Sequence, residues 1–248
     1  MIAPAIEWSF PFWIAHRGAG KLAPENTLAA FRLGASHGYT AFECDVKLSA
    51  DDVPFLLHDD TLDRTTNGAG LAGDRPWAEL SRLDAGSWHS PNYAGEPIAS
   101  FEAVAAYCLA NDYRLDLEIK PTPGLEFETG RAVGQCVHRL WLGAPPMLSS
   151  FRPEALAGAR ETAPELPRAL LLDTLWPDCL AMAETLGCVA VITNHLLMDA
   201  ALVEQIHGTG RRALVYTVND APRAQQMVAL GIDGIVTDAV DRLPSNAR

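Results

Sequence analysis

The stretch from Trp13 to Thr66 contains five side chains that together could do chemistry on a phosphate ester. They lie at or near the ends of strand-like segments and are His16, Arg17, Glu43, Asp45 and His58. Histidine exchanges protons near neutral pH, and a guanidinium binds phosphate through two parallel hydrogen bonds. Carboxylates bind hard divalent cations. These residue types suit metal-assisted cleavage of a phosphodiester.

Glu43 and Asp45 are two residues apart in the apolar run AFECDVKL. Alternate side chains of a strand point to the same face, so we expect both carboxylates on one face. Two buried carboxylates repel each other and are costly to desolvate, and a divalent cation relieves both problems. A solvent-facing edge strand is the alternative, because there the pair needs no metal.

A second pair of charged residues and a second histidine extend this pattern. Glu118 and Lys120 are two apart in LDLEIKP, which predicts a third metal ligand and a phosphate contact. A simple Glu–Lys ion pair explains those two residues equally well. His58 ends PFLLH and could form an acid–base pair with His16, although a histidine considered alone is more often structural.

Short apolar runs alternate with amphipathic segments along most of the chain. The predicted strands are Trp13–His16, Ala41–Leu48, Pro54–His58, Leu115–Lys120, Met147–Phe151, Ala169–Leu172, Val189–Thr193, Ala213–Val218 and Gly234–Thr237. The predicted helices are Asn26–His37, Phe101–Asn111, Glu126–Trp141, Pro153–Glu161, Pro177–Leu186, Asp199–His207 and Ala221–Leu230. Roughly eight strand–helix units predict an α/β fold, a (β/α)8 barrel, as a single domain over residues 1–248.

The strand–helix rhythm breaks once, between residues 61 and 100, where turn residues are frequent. An irregular stretch of this length inside a compact domain is usually a functional lid or subdomain. In a parallel barrel the carboxyl ends of the strands face the active site. We therefore expect the seven polar groups to lie together near the carboxyl ends of the first three barrel strands. We expect the irregular stretch to influence specificity.

The net charge of −12 and the absence of a Lys/Arg-rich run argue against a nucleic acid partner. A small anionic substrate remains compatible, because a metal and a few local cations can reverse the field inside an acidic protein. We expect a small-molecule substrate and no stable membrane insertion, since no apolar run approaches the roughly 20 residues of a membrane span. Formation of a homodimer is left open.

The cysteines number five, and no pair has CxxC spacing. We therefore expect buried reduced thiols instead of disulfides or a metal site. The first residues show no basic segment followed by a long apolar core, so a cleaved signal is not expected. These features favour a cytoplasmic location.

Several motifs resemble the signature of the glycerophosphodiester phosphodiesterase family. HRG…PENT, E-x-D…HD, the run Thr61–Gly70 and LEIKP occur in the family's order and with suitable spacing. Weaker similarity continues through SSFRPEAL, YTVND and GIDGIVTD, so the resemblance covers nearly the whole chain. Two positions depart from it: Tyr216 replaces the more usual tryptophan, and Arg152 stands where an acidic or amide residue is commoner. Both concern the rim of the substrate site.

The resemblance implies a (β/α)8 barrel with a small subdomain inserted after the second strand, here residues 61–100. It implies one divalent metal ion, Mg²⁺ or Ca²⁺ with Mn²⁺ as an alternative. The implied site comprises the catalytic pair His16 and His58, the metal ligands Glu43, Asp45 and Glu118, and the phosphate contacts Arg17 and Lys120. Glu25 of PENT is given only a supporting place.

The implied reaction is hydrolysis of glycerophosphodiesters to sn-glycerol 3-phosphate and an alcohol, within glycerol and lipid metabolism. The glycerol 2-hydroxyl attacks phosphorus and water opens the resulting cyclic phosphate, with His16 favoured as base and His58 as acid. A phospholipase of the same barrel type, acting on lysophospholipid at a membrane, is the first alternative. A non-catalytic phosphodiester-binding barrel is the second, but it would be expected to lack a histidine or a metal carboxylate.

Overall fold

The computed structural model describes residue 8 and residues 10–141 and 143–243. The strands are β1 (Trp13–Ala15), β2 (Ala41–Leu48), β3 (Pro54–Leu56), β4 (Arg114–Ile119), β5 (Met147–Ser150), β6 (Arg168–Leu172), β7 (Ala190–Asn194), β8 (Arg212–Tyr216) and β9 (Gly234–Thr237). The helices are α1 (Leu28–Ser36), α2 (Trp77–Leu80), α3 (Phe101–Ala110), α4 (Glu126–Leu140), α5 (Pro153–Thr162), α6 (Cys179–Thr185), α7 (Ala200–Gly208) and α8 (Ala221–Ala229).

Strand β1 closes the sheet into a barrel, because it pairs in parallel with both β2 and β9. The order continues β9-β8-β7-β6-β5-β4-β2, and every neighbouring pair along that path is parallel. Helices alternate with these strands, as the sequence predicts. The (β/α)8 barrel is therefore confirmed.

Several helices begin directly after a residue whose side chain caps the helix. Side chains that accept a hydrogen bond from the first turn begin four helices, and they are Thr27, Ser100, Asp199 and Asp220. Each satisfies a backbone N–H that the helix itself cannot satisfy. Helix α6 begins at Cys179 and not at the predicted Pro177, because Asp178 adopts a left-handed conformation with φ +64°.

The barrel interior changes character along its axis. An apolar cluster fills the inside, formed by Ile14, Ala41, Met147, Ala169, Leu171, Ala190, Ile192, Leu214 and Val236. Further along β2, the side chains of Glu43, Asp45 and Lys47 are buried at the alternating positions, while Phe42, Cys44 and Val46 belong to the cluster under the helices. The buried charges of β2 thus lie toward the carboxyl end of the barrel, where parallel-barrel sites lie.

The prediction that His58 follows a parallel barrel strand is wrong. Strand β3 runs antiparallel to β2, with Val46 opposite Leu56 and Leu48 opposite Pro54. β2 therefore extends past the barrel mouth, and the chain folds back along it until the Leu57 N–H donates to the carbonyl of Asp45. The third barrel strand is β4, and His58 reaches the mouth from a returning hairpin.

Residues 61–100 contain helix α2 and short 3₁₀ turns. Their buried apolar side chains form a cluster with β3 that comprises Phe55, Leu57, Leu62, Ala72, Leu80, Ala85 and Ile98. All five cysteines of the chain are buried and free, which confirms the expectation of reduced thiols. Among the described residues, no helix combines the length and apolar composition that crossing a bilayer requires.

Candidate active site

Three carboxylates meet where β2 and β4 lie side by side. The parallel register sets Asp45 opposite Glu118, and Glu43 is two residues before Asp45 on the same face. One oxygen from each of the three groups lies within 4.8 Å of the others. All three side chains are buried. The edge-strand alternative for the Glu43–Asp45 pair is thereby excluded.

The donor set fits a hard divalent ion. Oε1 of Glu43 and Oδ1 of Asp45 are buried and make no hydrogen bond within the described chain. Buried carboxylate oxygens without partners are costly, and metal coordination satisfies them. An all-carboxylate set of this kind prefers Mg²⁺, Ca²⁺ or Mn²⁺ over softer metals.

The three carboxyls differ in their protonation in the metal-free protein. Burial raises the pKa of Asp45, but Arg17 and Lys120 outweigh it and lower the pKa to about 2. Burial, together with the charge of Asp45, raises the pKa of Glu43 well above its usual range. Burial raises the pKa of Glu118 to about 8, although Lys120 opposes it. The neighbouring cations therefore favour the ionised form of Asp45, whereas burial favours the protonated forms of Glu43 and Glu118.

We expect the metal-free protein to lose stability as the pH rises from about 4.5 to about 8. A carboxyl whose folded pKa is raised stabilises the fold while it is protonated, and this contribution is lost as the pH passes its folded pKa. The free energy of unfolding, measured with urea at pH values across this interval, should fall as the pH rises. Saturating Mg²⁺ should restore most of the lost free energy at the alkaline end. Glu118→Gln is the control, because it should make the profile shallower, while Glu43 and Asp116 still contribute to it. A wild-type profile as shallow as that of the variant would contradict the prediction.

Two cations border the acidic triad. Arg17 has φ +51°, which turns its backbone N–H toward Oε2 of Glu43 at 3.1 Å. Its guanidinium donates to Glu25 at 2.8 Å and lies 3.3 Å from Oδ2 of Asp45. Lys120 Nζ lies 2.6 Å from Oε1 of Glu118 and 3.6 Å from Oδ1 of Asp45. Both are placed to offset charge on a phosphoryl group beside the triad.

His16 is held by a carboxylate that directly follows the last barrel strand. Its Nδ1 lies 2.6 Å from Oδ1 of Asp238, and its Nε2 lies 3.7 Å from Oε2 of Glu43. Asn219 donates to Oδ2 of Asp238 at 2.8 Å. With Nδ1 protonated toward Asp238, Nε2 faces the triad as the free acceptor. Gly20 allows this approach, because a Cβ there would lie 2.2 Å from the Cα of Asp238.

His58 is also bound to a carboxylate, but that carboxylate is paired with an arginine. Its Nδ1 lies 2.7 Å from Oδ1 of Asp59. Arg64 donates to both oxygens of Asp59, at 2.6 and 2.9 Å, and to both oxygens of Glu25, each at 2.8 Å. One arginine of the irregular stretch therefore joins the loop that follows β1 to the histidine on the β3 hairpin. Burial lowers the pKa of His58, against the attraction of Asp45.

Sequence reasoning missed the supporting groups of both histidines, which are Asp59, Arg64, Asn219 and Asp238. The signals were present as polar residues in HDD, in the run Thr61–Gly70, in YTVND and in VTD. The spacing of Asp238 from His16 carried no information, because closure of the barrel brings together residues 222 positions apart. Asp59, in contrast, directly follows His58 in the chain. Asp116 was also missed; burial raises its pKa to about 7, and Ser149 donates to it at 2.6 Å.

We expect Asp238→Asn to lower kcat/KM about 10–100-fold, the usual effect of losing a group that orients a functional side chain. The amide still fills the site but no longer fixes the His16 tautomer through an anionic acceptor. Steady-state kinetics with a glycerophosphodiester measure the loss, and long-range ¹⁵N–¹H NMR reports the tautomer. Glu165→Gln is the matched control, since Glu165 accepts from His138 at 2.6 Å on the exposed surface. Equal activities of the two variants would contradict the prediction.

A small cavity of about 170 Å³ opens among these groups. Its charged and histidine lining consists of His16, Arg17, Glu43, His58, Asp116, Glu118 and Lys120. Leu171, Ile192 and Val236 of the apolar barrel interior line it as well. The structure thus brings six of the seven predicted site residues to one cavity wall. Asp45, the seventh, lies behind them in contact with Arg17 and Lys120.

The cavity combines two proton carriers with carboxylates suited to a metal and cations suited to phosphate. This combination defines a (β/α)8-barrel enzyme of the phosphodiesterase class. Residues 16–242 match the sequence profile of the Glycerophosphoryl diester phosphodiesterase family. The chain belongs to this family and is an enzyme of the glycerophosphodiester phosphodiesterase type. The family prediction made from the sequence motifs is confirmed.

Known relatives span almost the whole chain. The Bacillus subtilis protein YhdW is 34% identical over 235 residues, covering 92% of this chain and 94% of the relative. A glycerophosphodiester phosphodiesterase of Caldanaerobacter subterraneus subsp. tengcongensis is 31% identical over 234 residues, with coverage of 93% and 95%. The solved structure of an Oleispira antarctica phosphodiesterase in complex with the product sn-glycerol-3-phosphate has a TM-score of 0.89 and 35% identity, with coverage of 95% and 94%.

Proposed function

We propose that this enzyme hydrolyses glycerophosphodiesters to sn-glycerol 3-phosphate and an alcohol in a metal-dependent, two-histidine reaction. The observation that carries the proposal is the pairing of His16 and His58 across one cavity, each with Nδ1 bound to a carboxylate. The Oleispira antarctica relative, solved with sn-glycerol-3-phosphate, supports the product.

We assign the proton transfers to the two Nε2 atoms, because both Nδ1 atoms are occupied. His16 accepts the proton of the glycerol 2-hydroxyl, and the oxygen then attacks phosphorus to form a cyclic phosphate. His58 donates its proton to the oxygen of the leaving alcohol. The lowered pKa of His58 makes its imidazolium a stronger donor, at the expense of its population at neutral pH. In the second half the roles reverse, and water opens the cyclic phosphate.

The charged residues stabilise the phosphoryl group during both steps. Arg17 and Lys120 offset charge on the non-bridging oxygens. Glu43, Asp45 and Glu118 would hold one divalent ion, Mg²⁺ or Ca²⁺ and alternatively Mn²⁺. When bound, this ion supplies Lewis-acid polarisation of the phosphoryl oxygen. Arg17 also holds Glu43 through its backbone, so the cation and the ligand are positioned together.

The proposal is tested by activity on a panel of glycerophosphodiesters after EDTA treatment, with add-back of Mg²⁺, Mn²⁺ or Ca²⁺. We expect EDTA to remove activity and at least one of these ions to restore it. Glycerophosphocholine and lysophosphatidylcholine are compared in the same assay, because they differ by one acyl chain. Turnover of the lysolipid alone would support the phospholipase alternative, and tight binding without turnover of either would support a binding barrel.

We also propose that the chain forms one barrel domain over residues 1–248, in which residues 61–100 are an inserted subdomain. The apolar cluster that this segment forms with β3 supports the assignment. A cytoplasmic location is proposed as well, and the five free, buried thiols support it.

A further inference from the structure

A second cavity of about 560 Å³ adjoins the small cavity at the barrel mouth. The two share four lining residues, His58, Glu118, Lys120 and Phe151. They are therefore compartments on two sides of the same wall. His16 and Arg17 line only the small cavity, whereas His58 borders both.

From this arrangement we propose that the second cavity is the subsite for the leaving alcohol, and that Arg152 selects among alcohols by their charge. The inference rests on the proposed function and deepens it. The glycerol 3-phosphate moiety then occupies the small cavity beside His16. The phosphorus lies at the shared wall, and the alcohol extends into the larger space past His58.

This orientation agrees with the proton transfers at each end of the substrate. The glycerol 2-hydroxyl must reach the base, and His16 borders the cavity that holds the glycerol. The leaving oxygen must reach the acid, and His58 is the histidine that borders both compartments. Leu171 and Ile192 of the barrel interior close the far side of the small cavity, which leaves the larger cavity for alcohols of different size.

Outside the shared wall, the larger cavity is lined by the apolar residues Ile119, Pro121 and Pro123 and by ionisable residues. Its ionisable residues there are Lys47, Asp59, Asp60, Glu126, Arg152 and Asp173. Lys47 is paired with Asp60 at 2.8 Å, whereas Arg152 is exposed and forms no salt bridge within the described residues. The guanidinium of Arg152 repels a positively charged alcohol and does not repel a neutral one, so it can discriminate between the two.

The loops that build this subsite follow β3, β4, β5 and β6, and no residue of 61–100 lines either cavity. Arg152 is also a position at which the chain departs from the pattern usual in the family. The expectation that the irregular stretch chooses the alcohol is therefore replaced by one that assigns this choice to Arg152 and its neighbours.

The test reverses one charge inside the subsite and one outside it. Arg152→Glu is compared with Arg82→Glu, an exposed arginine of the irregular stretch with the same change in net charge. The readouts are kcat/KM for glycerophosphoethanolamine and for glycerophosphoglycerol, and the inhibition constant of sn-glycerol 3-phosphate. That product occupies only the small cavity, so it reports on the catalytic site without the alcohol.

We expect Arg152→Glu to raise the ratio of kcat/KM for the ethanolamine ester over the glycerol ester about 5–10-fold, the effect of roughly 1 kcal/mol of charge interaction near a protein surface. Arg82→Glu should leave the ratio unchanged, and Arg152→Gln should give an intermediate value. The inhibition constant of sn-glycerol 3-phosphate should stay within about twofold of wild type in all three variants.

Three results would overturn the subsite: an unchanged ratio in Arg152→Glu, an equal change in Arg82→Glu, or a parallel change in product inhibition. A wild-type enzyme that hydrolyses none of the esters with any of the three metals would instead contradict the proposed function, so the two failures are distinguishable.

Discussion

Alanine at His16 or at His58 is expected to lower kcat about 10³–10⁴-fold, the upper range for loss of a general acid or base. Each histidine has one ring nitrogen bound to a carboxylate and the other available to the cavity, so no neighbouring group replaces the lost proton carrier. Arg17, Lys120 and the metal carboxylates remain in both variants. Substrate binding, and hence KM, should therefore change much less than kcat.

The comparison needs a histidine that is paired in the same way but lies elsewhere. His207→Ala serves, because His207 Nε2 lies 2.8 Å from Asp233 on the exposed side of the barrel. We expect this variant to retain activity within about twofold of wild type. Thermal unfolding checks that all three variants are folded. A purified, folded His16→Ala protein with near-normal kcat would remove His16 from the proposed mechanism.

The charged face of the barrel could be predicted because it follows from local periodicity. Glu43 with Asp45, and Glu118 with Lys120, lie two apart on apolar strands, and strand geometry alone puts each pair on one face. The parallel register of β2 and β4 then brings the two pairs together, which the repeated strand–helix pattern anticipates. The third metal ligand of the proposal was predictable for the same reason.

The hairpin that carries His58 could not be predicted in this way. PFLLH reads as a short buried strand, and a short apolar run contains no information about the direction in which it pairs. Its antiparallel return along β2 is a tertiary outcome. His58 lines the cavity with His16 as expected, whereas its element was misassigned to the parallel barrel.

The groups that hold the two histidines in place could not be predicted from the sequence either, for two different reasons. Asp238 meets His16 because the barrel closes the first strand against the last. Arg64 meets Glu25 and Asp59 because an irregular stretch folds over the mouth, where no periodicity exists to follow. The outcome is an asymmetric pair: the carboxylate behind His58 is neutralised by an arginine, and the carboxylate behind His16 is bound by a neutral amide.

Glu43→Gln is expected to weaken divalent metal binding and to lower metal-supported kcat/KM about 10²–10³-fold, equivalent to several kcal/mol of lost stabilisation of the phosphoryl charge. The amide keeps the size of the side chain and can still accept from the Arg17 backbone N–H, so the loop after β1 should stay in place. What is lost is one anionic ligand of a buried triad. The measurements are Mg²⁺ or Mn²⁺ titration by calorimetry and activity as a function of metal concentration.

Asp116→Asn is the matched control, because Asp116 is a fourth buried carboxyl on β4, two residues before Glu118, yet Ser149 already satisfies it. If the triad is the metal site, Glu43→Gln alone should shift the metal titration by orders of magnitude, and Asp116→Asn should bind metal nearly as wild type does. Equal weakening in both variants would mean that metal affinity reflects the overall negative charge of the barrel interior. Unchanged metal affinity in Glu43→Gln would mean that the metal binds elsewhere. The two buried glutamates beside Asp45 would then have to serve substrate binding.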